Sequence, residues 1–431
     1  MSETEQASLA GGLAARIAAL HLVELALDHR GGLEEAMSHP TFGKLEPRDR
    51  GLARMTAMTL LRRLGPIDRA LEARLQKPPP PAVMMLLRLG AAQLLYMDVP
   101  AFAAINTTVQ LTAQGKSTRN FKNLVNAVLR GISREPPAEL EPDASAPGWL
   151  YTRWVASYGE TAARAIAAMI PVEPATDLSL REPADEAVLA EALQAERLDG
   201  GGLRVAHGGD ITAWPGYVEG QWWVQDAAAA IPVRLLAIQP GETAIDLCAA
   251  PGGKTLQLAA AGAKVAALDR SASRLRRVSQ SLERIGLEAE VVCADSESWP
   301  DPRLFDAVLL DAPCSATGTF RRHPDVLWGT KPGDIANLSA VQSRMIDAAA
   351  RRVKPGGRMV YCVCSLEREE GEDQIAAFLK RTPEFSLAPV TAGEGGAPAA
   401  SITGDGAVRI LPHQMAGGLD GFFAARLVRA G

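Results

Sequence analysis

The sequence predicts a multidomain chain: an all-α bundle at the front, then a small α/β subdomain, then a doubly wound α/β domain. Three observations predict this. Apolar residues recur at helical spacing from about residue 10 to 135, and from Val224 onward short apolar runs alternate with amphipathic helices. Acids also recur where those runs stop, at Asp246, Asp269, Asp295 and Asp311.

In chain order, residues 14–27 and 49–64 are amphipathic, the second with Leu52, Met55, Met58 and Leu61 on one stripe. Pro78 to Pro81 form a stiff break before an apolar helix over 82–97, expected at the centre of a bundle. Residues 105–112 and 120–133 complete it, and Arg134-Glu135-Pro136-Pro137 ends it. The expected borders are 1–137 for the helical domain and 138–148 for a linker rich in Pro, Ala and acids. Between Thr112 and Arg134 lie Lys116, Arg119, Lys122, Arg130 and Arg134 with no acid. That suffices for a phosphate footprint, although a solvated helix face would look the same.

Residues 149–222 read as the small subdomain. Short strands are expected at 178–181, 203–205 and 222–224, with a helix at 186–194. Trp214, Trp222 and Trp223 are expected in its core rather than stacked on bases. Residues 223–431 form the last domain, with strands at 264–268, 289–294, 305–310 and 357–363 and helices at 271–285 and 339–353. Such alternation makes a mostly parallel sheet, so the strand-end acids converge on one crevice.

The organising stretch is Asp246-Leu247-Cys248-Ala249-Ala250-Pro251-Gly252-Gly253-Lys254-Thr255. A strand runs into a glycine turn and a helix start, which together cradle a nucleotide. A phosphate-binding P-loop would need Gly where Cys248 stands. The turn is therefore Rossmann-like, with Asp269 some 23 residues after Asp246 placed for ribose hydroxyls.

A chain of 431 residues that is 47% hydrophobic and 22% charged is long enough and mixed enough for several globular cores. It has no run of about 18 apolar residues to span a membrane. The acidic, polar start Met1-Ser2-Glu3-Thr4-Glu5 is unlike a signal peptide, so a cytoplasmic protein is expected. A net charge of −5 argues against wholesale coating of nucleic acid, though not against the local basic patch. The five cysteines include no paired Cys-x-x-Cys units, so no metal is expected. Cys293 and Cys362 read as small buried hydrophobes. Cys314 and Cys364 close strands beside the crevice, where a thiol is either a nucleophile or buried and inert.

Two resemblances add to this reading. Asp49-Arg50-Gly51, the run from Leu86 to Tyr96, Pro100-Ala101-Phe102-Ala103-Ala104-Ile105-Asn106 and the run from Asn123 to Arg130 resemble the NusB-like RNA-binding helical domain. Asp246 to Thr255, Asp311-Ala312-Pro313-Cys314-Ser315, Arg321-Arg322-His323-Pro324-Asp325 and Cys364-Ser365 resemble S-adenosylmethionine-dependent RNA cytosine 5-methyltransferases. Gln225-Asp226 and Gly421-Phe422-Phe423 fit as well. As a whole the chain is similar to the Fmu/Sun group, the small-subunit ribosomal RNA methyltransferase B family.

The resemblance implies a Rossmann-like methyltransferase domain, a small RNA-recognition subdomain and S-adenosyl-L-methionine as cofactor. It also implies small-subunit ribosomal RNA as partner. Cys364 would be the nucleophile, Asp311 would hold the base, and Cys314 would assist proton removal and product release. Asp246, Cys248, Ala249, Ala250, Pro251, Gly252, Gly253, Lys254, Asp269, Arg274, Asp295 and Asp311 would line the cofactor. Arg321, Arg322 and His323 would touch the RNA backbone. The chain departs from the family at Val363, often Thr, and at Gly371, commonly Asn. The Asn-containing segment usual before the small subdomain's first strand is also not evident near 171–177. A non-catalytic RNA-binding factor would be expected to lose the turn or a thiol, and a protein or small-molecule methyltransferase needs neither two thiols nor a basic helical front. The oligomeric state stays open, with a monomer favoured.

Overall fold

A computed structural model describes residues 3–28, 32–138 and 141–431. They form two compact units, Met1–Val172 with Phe320–Thr330, and Glu173–Thr319 with Lys331–Gly431.

The first unit is all helical. Its longer helices are Glu3–Leu27, Pro47–Arg62, Leu64–Glu72, Pro81–Tyr96, Ala101–Gln114, Lys122–Arg134, Gly148–Tyr158 and Glu160–Ala168. The expected break falls where the prolines are, because Pro80 caps and Pro81 opens the apolar helix. Its Val83, Leu87 and Leu89 are fully buried with Leu22, Leu60, Leu61, Val125 and Leu129. Gly90 allows the approach of Lys122–Arg134, since a Cβ there would lie 2.5 Å from Leu129 Cδ1.

Two borders differ from the sequence expectation. The stretch expected as a linker carries a short turn, Pro142–Ser145, with Ala144, Ser145 and Ala146 buried. Its Ala144 carbonyl packs so tightly on Gly65 that no side chain fits there. Glu139 and Leu140 of that linker lie outside the described residues. The helices over 148–168 accordingly group with the bundle rather than with the small sheet, burying Leu150, Trp154, Ala163 and Ile166.

Residues 320–330 also belong to this unit. Arg62 donates to the Arg321 carbonyl at 3.0 Å, Leu33 N to Asp325 Oδ2 at 3.1 Å, and Trp328 Nε1 to the Leu61 carbonyl at 3.1 Å. Phe320 packs on Trp154, ring centroids 6.1 Å apart.

The second unit holds two sheets. In the smaller, β1 (Thr176–Leu180), β2 (Glu196–Arg197), β3 (Leu203–Val205) and β4 (Trp222–Val224) lie antiparallel in the order β2-β3-β1-β4. Trp214, Trp222 and Trp223 are buried, as expected of core residues. Asp177 and Arg204 form a buried bidentate pair at 2.8 Å, and Asp177 also accepts from Ala227 N at 3.1 Å. That bond ties the small sheet to the helix Ala227–Leu235.

The larger sheet contains β5 (Thr243–Asp246), β6 (Lys264–Asp269), β7 (Glu290–Cys293), β8 (Phe305–Asp311), β9 (Val353–Val363), β10 (Phe385–Leu387), β11 (Val408–Ile410) and β12 (Phe422–Arg429). The order is β10-β12-β9-β8-β5-β6-β7, with β11 on β12. The five strands from β5 to β9 are mutually parallel, and β10 to β12 add an antiparallel wing. From β5 the chain proceeds outward through β6 and β7, then returns to place β8 on the other side of β5. The order therefore reverses between β5 and β8, the place where such sheets open a crevice. Asp246 and Asp311 end those two strands.

Candidate active site

The cradle is built from the end of β5. Asp246 is buried, and its carboxylate accepts from Thr255 Oγ1 at 2.7 Å and from Cys248 N at 3.4 Å. Burial pushes the Asp246 carboxyl up to about 6, with the Asp311 charge adding to it and the Thr255 hydroxyl opposing. Gly252, at φ 116°, turns the chain into the helix Gly253–Ala260 in a conformation that excludes side chains. Ala249 N donates to the Leu268 carbonyl at 2.9 Å, so the turn lies against the end of β6.

At that end Asp269 accepts from Ser271 N at 2.9 Å and from Ala250 N at 3.3 Å. Arg274 donates to the Ala250 carbonyl at 2.6 Å and stands 3.7 Å from Asp269. Asp295 follows β7, is exposed, and accepts from Glu297 N at 2.8 Å. The Cys248 thiol is pushed well up, by burial first and then by Asp311, Asp246 and Asp269.

Lys254 leaves the cradle toward the other strand end. Its Nζ donates to Asp311 Oδ2 at 2.8 Å and lies 5.1 Å from the Phe422 ring centroid. Burial disfavours its charge, but the Asp311 carboxylate and neighbouring thiols outweigh that and hold the ammonium protonated. Cys362, buried as expected, lies with its Sγ 3.6 Å from Asp311 Oδ1, and burial raises its pKa well above the usual thiol value.

Asp311 pairs with Cys362 in the β8–β9 ladder, and Ala312 N extends the ladder to the Cys362 carbonyl at 3.0 Å. The two strand ends therefore leave the sheet side by side. Cys314 and Cys364, 50 residues apart, meet with their sulfurs 3.5 Å apart, and both are partly accessible. The Cys314 thiol is pushed well up, first by its hydrogen bond to Cys364 and then by burial.

Sequence reasoning missed the residues beneath this pair. Ser315, Ser365, Gln342 and Glu370 form a buried network, with Ser315 N donating to Glu370 Oε1 at 2.9 Å and Gln342 Nε2 to the same oxygen at 3.1 Å. One local signal pointed there: each thiol is followed directly by Ser.

The departure at Gly371 also has a local reason. A Cβ there would lie 2.5 Å from the Arg409 guanidinium and 2.9 Å from the Phe423 ring. Arg409 is buried, donates to the Ser365 carbonyl and pairs with Glu372 at 3.0 Å.

Two expectations need correction. Cys293 is exposed rather than buried, because β7 is the sheet's edge strand. Arg321 is 1% exposed within the helical unit, so its guanidinium is not presented to an RNA backbone. Arg322 and His323 are half-buried. In the basic stretch, Lys116, Arg119, Lys122, Arg130 and Arg134 are all exposed.

Comparison with known proteins matches both units. A family described as 16S rRNA methyltransferase RsmB/F matches residues 233–428, and the NusB family matches residues 13–134. Ribosomal RNA small subunit methyltransferase B of Xanthomonas campestris pv. campestris is 36% identical over 439 residues, covering 98% of both chains. The protein of that name from Vibrio cholerae is 34% identical, covering 89% of this chain and 90% of its own. The crystal structure of a protein designated PH0851 has a TM-score of 0.79 at 25% identity, over 97% of this chain and 98% of that one. A methyltransferase homolog protein from Pyrococcus horikoshii has a TM-score of 0.56 at 27% identity, over 66% of this chain and 95% of its own.

A glycine turn and strand-end acids at the switch point of a parallel sheet, in a chain that starts with a NusB helical domain, define an rRNA methyltransferase dependent on S-adenosylmethionine. Within that class, the chain belongs to the ribosomal RNA small subunit methyltransferase B family.

The cradle fits this cofactor. A ligand with one ammonium and one sulfonium suits a turn surrounded by the charges of Asp246, Asp269 and Asp311, where burial and the Asp311 charge raise the Asp246 carboxyl. Among the described residues, no helix is long and apolar enough to cross a membrane.

Proposed function

We propose that the protein methylates carbon 5 of a cytosine in small-subunit ribosomal RNA through a covalent bond from Cys364 to carbon 6. The observation that carries this is the pair of thiols 3.5 Å apart at the strand ends beside the Lys254–Asp311 ion pair. Carbon 5 of cytosine is a weak nucleophile. Addition of the Cys364 thiolate at carbon 6 breaks the C5–C6 double bond and moves its electron pair toward carbon 5. The Lys254–Asp311 pair faces the ring nitrogen of the base and supplies the proton that this nitrogen takes up as addition places charge on the ring, with the Asp311 carboxyl hydrogen-bonded there. Bound S-adenosylmethionine supplies a methyl group on a cationic sulfur.

Cys314 stays protonated while Cys364 attacks, since two adjacent thiolates would repel. Once Cys364 is bound as a thioether that repulsion is gone, Cys314 gives its proton to water, and its thiolate takes the carbon-5 proton. The electron pair left behind restores the double bond and expels Cys364 as a thiolate. Holding base and donor in one crevice is the remaining contribution, and it is a large one. In this reading Asp246, Asp269, Arg274, Asp295 and the 248–254 turn hold the donor. The protein works as a cytoplasmic monomer, with the small sheet handling the RNA near the target.

The test uses small-subunit ribosomal RNA carrying tritium at cytosine carbon 5. One tritium should reach water for each methyl transferred. Methylation without tritium release would place the methyl on another atom and overturn the reading.

The exposed cations of residues 116–130 serve as a phosphate footprint in this proposal. Changing Lys116, Arg119, Lys122 and Arg130 together to Ala should weaken RNA binding evenly across sequences. It should also flatten the slope of log K against log salt by about 1 for each phosphate contact removed. An unchanged slope would reduce this helix to a scaffold.

A further inference from the structure

One buried group takes part in none of these steps. Glu370 ends the short helical turn Arg368–Glu370 and is fully buried. Its Oε1 accepts from Ser315 N and Gln342 Nε2, and its Oε2 accepts from the hydroxyls of both Ser315 and Ser365. The two hydroxyls also lie 3.1 Å from each other. A carboxylate is costly to bury unless it is hydrogen-bonded, and here donors from separate segments meet that need.

The same donors define where the thiols go. Ser315 follows Cys314 in the loop after β8, and Ser365 follows Cys364 at the end of β9. The ladder stops short of these positions, and beyond it Gly318 N donates to the Cys364 carbonyl and Leu366 N to Thr317 Oγ1, each at 3.0 Å. The surrounding backbone is pinned to the same point. Tyr361 donates its hydroxyl to the Glu370 carbonyl at 2.6 Å, and Gln342 donates to the Pro313 carbonyl at 2.9 Å. Arg409 holds the Ser365 carbonyl from the opposite side.

We propose that Glu370 is a positioning residue whose carboxylate clasps Ser315 to Ser365 and thereby sets the separation of Cys314 and Cys364, a role that rests on these thiols doing the chemistry. Glu370→Gln keeps the shape but replaces the shared carboxylate oxygen by an amide N–H₂, so both hydroxyls must turn to accept and the charge-assisted bonds that draw Ser315 to Ser365 are lost. The clasp is then weaker, and the two loops are held less closely. Displacing a reacting group by about 1 Å costs on the order of 10²-fold in rate.

The test reads the thiol pair directly and needs no RNA. Phenylarsine oxide condenses with two thiols held at contact distance, forming two arsenic–sulfur bonds and releasing one water. The wild type should take up one arsenical in reductant, and Cys314→Ala should take up none. Glu370→Gln should bind it at least about tenfold more weakly, with S-adenosylmethionine affinity within about threefold of wild type and methyl transfer down about 10²-fold in kcat rather than KM. Ser315→Ala and Ser365→Ala, each of which removes one arm of the clasp, should show smaller losses of the same kind and carry the test if Glu370→Gln does not fold. Arsenical binding equal to wild type in all three variants overturns the proposal, whatever happens to methylation. Weaker arsenical binding in a protein that methylates no cytosine would keep the clasp and remove only the chemistry proposed for the thiols.

Discussion

Cys364→Ala is expected to lower methyl transfer to RNA by at least about 10⁴-fold, while Cys314→Ala traps a protein–RNA adduct that survives denaturant. The asymmetry follows from the order of steps. Without Cys364 nothing adds to carbon 6, carbon 5 keeps its low nucleophilicity, and no covalent species forms. Without Cys314 the addition and transfer still proceed, but loss of the carbon-5 proton slows and the Cys364 bond is not released. The two sulfurs are 3.5 Å apart, so either variant leaves the other thiol at the same place in the crevice. Both variants should bind S-adenosylmethionine like wild type, because the cradle draws on β5 and β6. Gel electrophoresis in denaturant reads the adduct, and labelled donor reads turnover. An active Cys364→Ala, or an adduct formed by it, would put the nucleophile elsewhere.

The parts of this site that were legible in the sequence are those encoded in one continuous stretch. The turn from Asp246 to Thr255 carries its strand, glycines and helix start in ten residues, and the structure keeps that order. The strand-end acids were legible for the same reason. That Cys314 and Cys364 share one crevice was legible from their strand ends and the resemblance, but their direct contact was not, because it depends on β8 lying beside β9, which only tertiary packing decides. Glu370 was hidden further. A Glu in a charged run reads as solvated, and its burial follows from donors on three other segments. Arg321 shows the converse. In sequence it stands beside the Pro-Cys loop, yet residues 320–330 pack into the helical unit and bury it. Cys293 sits in an apolar run that suggested burial, but an edge strand leaves one side of that run uncovered. The wing of β10 to β12 was not read from the sequence, since its first two strands have three residues each and carry too short a pattern to stand out.

Asp246→Asn should make the ligand-free protein more stable near pH 7.5 and weaken S-adenosylmethionine binding by about 10²-fold. Burial, with the Asp311 charge adding to it, raises the Asp246 carboxyl from 3.8 to about 6. Between those values the folded state binds more protons than the unfolded state, so stability falls as pH rises from about 4 to about 6. Above that range the ionised, buried carboxylate costs on the order of 3 kcal/mol, from a shift of about two units at 1.4 kcal/mol each. Asn keeps its oxygen toward Cys248 N, turns its amide toward the Thr255 hydroxyl, which then accepts, and removes that charge, so the pH-dependent loss should disappear from the thermal melting curve. In the proposed donor site the same carboxylate is what the cationic ligand would meet. Binding S-adenosylmethionine should draw the proton off Asp246, so wild-type affinity should weaken about tenfold per pH unit below about 6, while the Asn variant stays flat. The site is thus held in a less stable charged form that its ligand relieves, a trade of stability for function. Melting temperatures of the two proteins that run parallel from pH 4 to pH 8 would show that the Asp246 charge carries no such strain.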